Sequence, residues 1–245
     1  MTYCLALRLD DGLVFLSDTR TNAGVDNIST YRKLHVIRPA DDRIFTIQSA
    51  GNLATTQEVL DRIDRDLATP GDHQTLATVE HLFEAALYVG RISRDVVAGH
   101  REALSTVSAD GTATFILGGQ VAGARPQIFL VYPEGNYIRA SDTRPFLQIG
   151  EAKYGKFWLD LMLLHPDPDL AVATKIALAS MLGTARANLS VGPPYDLGVY
   201  RNDSLTLDEH RIEADSAYLD ELGQVFVDHL MEAFDDLPPI PWTGG

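Results

Sequence analysis

Along the first residues of the chain apolar and polar positions alternate. Tyr3, Leu5, Leu7 and Leu9 stand against Thr2, Cys4, Ala6 and Arg8, and a period of two predicts a strand. One face is large and apolar while the other begins small, and a strand apolar on both faces lies between two layers. Asp10-Asp11-Gly12 is a hairpin turn of the Asp-Gly kind. Leu13, Val14, Phe15 and Leu16 return as a second strand ending in Ser17-Asp18-Thr19-Arg20, which brings Asp18 back beside Thr2.

The same reading extends along the chain. A polar stretch with Gly24 and Asn27 as turn residues leads into a strand over 33–37. Pro39-Ala40-Asp41-Asp42 forms a hairpin turn, and the alternating residues 43–50 return as a strand. Gly51 and Asn52 mark a junction to a helix over 53–67, where Val59, Leu60, Ile63 and Leu67 fall at helical spacing. Thr69-Pro70-Gly71-Asp72 breaks it, and a long helix is expected over about 74–104, kinked at Gly90. Strands follow at 112–121, 127–132 and 137–141, the last two joined by the Pro133–Asn136 turn, and a short one at 146–149. A helix opened by Gly150-Glu151 runs to about 164. His165-Pro166-Asp167-Pro168-Asp169 supplies a cap for a second helix over 170–187. Strands at 195–201 and 205–211, a helix from Asp215-Ser216 to about 234, and an extended tail over 238–245 complete the chain.

Hairpin turns imply antiparallel sheets, and paired amphipathic helices suffice to cover two of them. The expected fold is α+β, a four-layer αββα sandwich. No linker, composition shift or internal repeat divides residues 1–245, so a single domain is expected.

Composition narrows the partners. A formal net charge of −14 and a pI near 4.7 disfavour nucleic acid and anionic membrane surfaces, because both are polyanions. Cys4 is the single cysteine, so no intrachain disulfide can form. The opening residues lack a basic region and a long apolar run, and no uncharged apolar stretch of spanning length is seen, so a cytoplasmic protein is expected.

The hairpin also carries candidate chemistry. If Met1 is removed, Thr2 presents a hydroxyl and a free α-amine together, a nucleophile with its own base. An α-amine has a pKa of about 7.7–8.0 and can accept a proton near neutrality. A plain alternative stays open on these residues: an exposed terminal threonine, with Asp18 as a strand-end cap. Other sites are weaker. The seven histidines form no H-E-x-x-H, C-x-x-C is absent, and no G-x-S-x-G occurs. His81 and Glu84 read as a solvated pair rather than a metal site, Asp61, Asp64 and Asp66 as a solvated helix face, and Gly118-Gly119 as a strand bulge.

The stretch T-Y-C-L-A-L-R-L-D-D-G-L-V-F-L-S-D-T-R, the Y-R-K-L strand and Q-S-A-G-N resemble the proteasome-type branch of the N-terminal nucleophile hydrolases. With S-D-T-R-T-N-A-G-V-D-N-I-S and N-L-S-V-G added, the chain is more closely similar to the Anbu (ancestral β-subunit) family of bacteria, over nearly its whole length. That resemblance implies an αββα sandwich and a threonine-type amide hydrolase without metal or organic cofactor. It matches Thr2 to the nucleophile, Asp18 to its acidic partner and Lys33 to the active-site lysine. Gly51 matches the oxyanion-hole glycine, and Ser49 the floor of a roomy substrate pocket. Arg20 is a possible supporting residue. The resemblance further implies a ring-like or open helical homo-oligomer acting on peptide or amide substrates, with ATP-grasp or transglutaminase-like partner enzymes.

Two departures matter. The proteasome's Gly-Ser-Gly beside the nucleophile's amine is here Gly150-Glu151-Ala152, and a carboxylate there would raise the amine's pKa. The proteasome's aspartate and serine, three residues apart, find only Asn188 and Ser190 as candidates, at shorter spacing. A second expectation therefore stands beside the first, a structural assembly subunit with little or no hydrolase activity.

Overall fold

Gly12 closes the opening hairpin as read: β1 (Tyr3–Arg8) and β2 (Gly12–Asp18) pair antiparallel with Cys4 opposite Ser17 and Arg8 opposite Leu13. The computed structural model describes residues 1–22, 28–69, 71, 73–165, 167–239 and 241–242. In chain order follow β3 (Arg20–Asn22), β4 (Ile28–Thr30), β5 (Leu34–Ala40), β6 (Arg43–Gly51), α1 (Leu53–Ala68) and α2 (Leu82–Thr106). Then come β7 (Ala113–Val121), β8 (Gln127–Val131), β9 (Tyr137–Arg139), β10 (Phe146–Gly150), α3 (Ala152–Met162), α4 (Leu170–Ala187), β11 (Tyr195–Arg201), β12 (Leu207–Ile212) and α5 (Ala217–Asp235).

Two five-stranded antiparallel sheets result, ordered β10-β1-β2-β11-β12 and β5-β6-β7-β8-β9, with β3-β4 a small separate ribbon. Apolar cores fill the spaces between four layers. Val59, Ile63, Ala86 and Val89 of α1 and α2 pack on Phe45, Phe115 and Phe129 of the second sheet. Tyr3, Leu5, Leu7 and Leu16 of the first sheet meet Leu159, Ala177, Met181 and Leu219 of α3, α4 and α5. Cys4, Ala6 and Phe15 face Ile44, Ile116 and Ile128 between the sheets. The α+β four-layer αββα sandwich is the fold expected from the pattern. Each leucine fully buried on the helix side contributes about 1.5–3 kcal/mol relative to exposure.

The local differences have physical causes. The long helix starts at Leu82, not near 74. Thr75 N donates to Thr78 Oγ1 at 2.9 Å and Ala77 N to Thr75 Oγ1 at 3.1 Å, local bonds that compete with a helix. Glu84 then accepts from the N–H groups of Glu80 (2.8 Å) and His81 (2.9 Å), so the supposed solvated pair is a helix-start cap. The helix runs unbroken through Gly90, where a side chain would collide with Gly135 O. Asp66 is not merely solvated, because Tyr88 of α2 donates to its carboxylate at 3.0 Å. β5 continues through Pro39 to Ala40 with a bulge between Ile37 and Ala40, and an edge strand tolerates both. No bulge occurs at Gly118-Gly119, where β7 keeps register with β6 and β8. Instead a Cβ at Gly118 would lie 2.5 Å from the Phe15 ring, so the missing side chain is the room that ring occupies.

Within the polar stretch after Arg20 the β3-β4 ribbon was not anticipated, and Gly24 and Asn27 lie outside the described residues, as do Pro70, Asp72 and Pro166. In the tail, Pro241 and Trp242 form a turn rather than an extended chain; Ile240, Thr243, Gly244 and Gly245 lie outside the described residues. The 18-residue α4 is long and apolar enough to cross a membrane by length and composition, but Leu170, Ala173, Ala177, Leu178 and Met181 spend that character inside the core.

Candidate active site

Four chain segments converge at the open end of the β1-β2 hairpin. Thr2 precedes β1, Asp18 ends β2, Lys33 enters β5 and Gly51 ends β6. The antiparallel register sets Asp18 directly past Ser17, opposite the start of β1, and Tyr3 N donates to Asp18 Oδ1 at 2.9 Å. The first sheet contributes Thr2 and Asp18 and the second contributes Lys33 and Gly51, so the site exists only where the two sheets stack.

Lys33 and Asp18 are almost wholly buried, their side chains 5% and 0% exposed. Lys33 Nζ donates to Asp18 Oδ1 and to Arg20 O, both at 2.7 Å. A buried cation survives only with such partners. Burial pushes the Asp18 carboxyl above the usual carboxylate range, and the Lys33 ammonium and the Tyr3 N–H oppose that shift. Burial likewise pushes the Tyr3 hydroxyl and the Cys4 thiol upward, which leaves Cys4 a packing group with its S–H toward Ser49 O. Tyr195, opposite Asp18 in the sheet, is pushed up to about 12 by burial and by that neighbouring carboxylate.

Thr2, Lys33, Ser49 and Gly51 line one pocket, with Thr21, Tyr31, Leu53 and Thr56. Its volume is about 40 Å³, so the roomy pocket expected from the small Ser49 is not what forms; Tyr31 and Leu53 close around it. Gly51 has φ +114°, and a Cβ there would sit 2.5 Å from Thr112 O. Only glycine fits both the angle and the approach.

The remaining candidates fall into two groups. Glu151 is at the site through its backbone: its N–H donates to Thr2 O at 2.8 Å and it caps α3. Gly150 permits this, because a Cβ there would meet Thr2 O. Asn188 ends α4 and its amide reaches Met1 Sδ at 4.0 Å, while its Oδ1 accepts from Ser190 N (3.0 Å) and Ser190 Oγ (2.6 Å). This pair stiffens the loop beside the chain start and makes no bond to Thr2. The Arg20 guanidinium donates to Leu189 O at 2.7 Å and lies against Gly192, tying β3 to that loop; its carbonyl, not its charge, reaches Lys33.

Sequence reasoning missed the support beneath. Tyr3 OH is 2.7 Å from Ser180 Oγ and donates to Gln148 Oε1 at 3.0 Å, and Ser180 donates to Gly155 O at 2.9 Å. This buried network joins β1, β10, α3 and α4 next to Thr2. Nothing local in the sequence marks it, since its members are scattered over 177 residues.

The chain is similar to solved structures over nearly its whole length. Anbu from Hyphomicrobium sp. strain MC1 is 44% identical, over 98% of this chain and 99% of its own, at a TM-score of 0.86. Anbu (ancestral beta-subunit) from Yersinia bercovieri is 40% identical, over 99% and 100%, at 0.90. A helical assembly of the Anbu complex from Pseudomonas aeruginosa is 40% identical over 100% of both chains, at 0.91. No protein-family model and no curated protein matches the chain.

Proposed function

The chain belongs to the Anbu (ancestral β-subunit) family, and from that membership we propose that it is a threonine-type amide hydrolase, a subunit of a self-assembling proteasome-like particle. With Met1 removed, Thr2 Oγ attacks the carbonyl of a peptide or amide, and the Thr2 amine takes the proton. The Lys33 ammonium, anchored by Asp18 and Arg20 O, lowers the pKa of that hydroxyl and amine. The Gly51 N–H stabilises the tetrahedral oxyanion. The amine returns its proton to the leaving nitrogen, and water then hydrolyses the acyl-enzyme. The observation that carries this reading is the buried Lys33–Asp18 pair at 2.7 Å beside Thr2. A fold core that needed only stability would do as well with apolar residues there.

Assembly into a ring-like or open helical homo-oligomer is supported by the helical assembly of the Pseudomonas aeruginosa relative. Exposed Phe157, Met231 and Phe234 on α3 and α5 leave apolar surface for other subunits to cover. ATP-grasp or transglutaminase-like enzymes as partners, and a cytoplasmic setting, remain part of the proposal on family grounds alone.

One observation favours a second reading, an assembly subunit of little activity. Glu151, held against Thr2 O, puts a carboxylate-bearing residue at the head of α3 beside the candidate amine. Intact-mass analysis followed by a threonine-directed electrophile separates the two. A single adduct on Thr2, absent in Thr2→Ala, supports the hydrolase. Met-free protein that takes no adduct anywhere from about pH 6 to 10, a range spanning the titration of an α-amine, supports the scaffold.

A further inference from the structure

Beside the small pocket at Thr2 lies a much larger cavity, of about 750 Å³, and Ala50 and Gly51 line both. The two spaces therefore adjoin at Gly51, the proposed oxyanion donor. Gly150 also lines the cavity, and this is the residue packed on Thr2 O. An amide held with its carbonyl at Gly51 and Thr2 has two halves. The pocket at Thr2, about 40 Å³, is far smaller than the cavity of about 750 Å³. With Ser49 in the small pocket, matched by resemblance to the pocket for the side chain preceding the cut, the cavity is left for the leaving-amine half.

The cavity wall is apolar at Leu130, Phe146 and Leu147, basic at Arg144 and Lys156, and acidic at Asp110, whose carboxylate accepts from Thr112 N at 2.8 Å. Lys156 is engaged by Asp160 one helical turn away. Arg144 is exposed, and among the described residues its guanidinium has no carboxylate within ion-pair distance. Its backbone is fixed, since Arg144 N donates to Ser141 O at 3.2 Å and to Ser141 Oγ at 3.0 Å. An uncommitted guanidinium on a fixed hairpin, beside an apolar wall, is suited to a carboxylate that it can grip with two parallel bonds.

We propose that this cavity holds the leaving-amine half of the substrate, and that Arg144 selects leaving groups ending in a free carboxylate on an apolar body, such as a short apolar peptide acid. The inference rests on Thr2 as nucleophile for its catalytic meaning. The binding site itself does not depend on that chemistry, so the two can fail separately.

The test uses Met-free full-length protein and calorimetric titration with dileucine and with its C-terminal amide. Dileucine binds at least about tenfold more tightly than the amide, the discrimination expected for one lost charge-assisted hydrogen bond. Arg144→Gln removes the difference, while Arg144→Lys keeps part of it. Dileucine also slows electrophile labelling of Thr2 in the parent and not in Arg144→Gln. Equal binding of acid and amide overturns the proposal, as does a preference that survives Arg144→Gln, or absence of binding to protein whose Thr2 labels normally. Arg144-dependent binding to protein whose Thr2 never labels upholds the cavity site and overturns the hydrolase instead.

Discussion

Each end of the β1-β2 hairpin holds one partner of an aspartate–cation pair, and the two pairs could hardly differ more. At the turn end Arg8 meets Asp142, whose side chain is 95% exposed. At the open end Lys33 meets Asp18 with both side chains buried. Arg8, by hydrogen bond and charge, holds the Asp142 carboxyl below the usual range. Burial drives Asp18 the other way despite its lysine. Exposed pairs exchange water for each other at little net gain, whereas a buried pair forfeits hydration that its Coulomb attraction barely repays. The first pair decorates the fold. The second is retained at a cost, and the cost falls beside Thr2.

Cutting the buried pair has the largest effect. Lys33→Ala strands the Asp18 carboxylate, and urea unfolding should show about 3–5 kcal/mol lost. Thr2 labelling should slow by about 10²–10⁴-fold as the ammonium that tunes the Thr2 hydroxyl and amine is lost. Next comes Gly51→Ala, which forces a Cβ toward Thr112 O at a left-handed φ. About 1–3 kcal/mol of strain is expected, with labelling about 10²–10³-fold slower if the Gly51 N–H serves the oxyanion.

A smaller effect separates the two aspartates by sign. Asp18, raised in the folded state, binds its proton more tightly folded than unfolded. Its contribution is therefore present in acid and lost as pH rises from about 3.9, the unfolded value, through the folded pKa. Asp142, depressed when folded, contributes above about 3.9 and loses that contribution as pH falls through its folded pKa. Subtracting the pH–stability curves of Asp18→Asn and Asp142→Asn from that of the parent should give slopes of opposite sign; slopes of the same sign would remove the contrast. The smallest effect is Asp142→Ala at physiological salt, which should lower the urea midpoint only slightly, because the Asp142 carboxylate is exposed and its attraction to Arg8 is screened.

The hairpin was legible because alternation and Asp-Gly turn chemistry are local. Tyr3, Leu5 and Leu7 announced one face, and Cys4 and Ala6 the other. The helix start at Leu82 was not legible from apolar spacing, because Leu76 and Val79 are buried without being helical, and the threonine bonds that divert the chain look like any polar residues. Gly118 read as a bulge since the ring it admits, Phe15, belongs to the other sheet. At the site, Thr2 and its neighbour Asp18 were read from the hairpin, while Lys33 and Gly51 were named from resemblance to a family. The Tyr3–Ser180–Gln148 network and the cavity at Arg144 were not named at all.

By itself the sequence determined the strands of the two large sheets, most of the helices and the antiparallel αββα layering, because periodicity and turn residues act over a few neighbours at a time. Tertiary structure alone decided that Lys33 would be buried on Asp18, that the pocket at Ser49 would be tight, and that a large cavity would open next to Gly51. Each of these depends on how two sheets stack, and the desolvation and free volume produced there belong to no single segment of the chain.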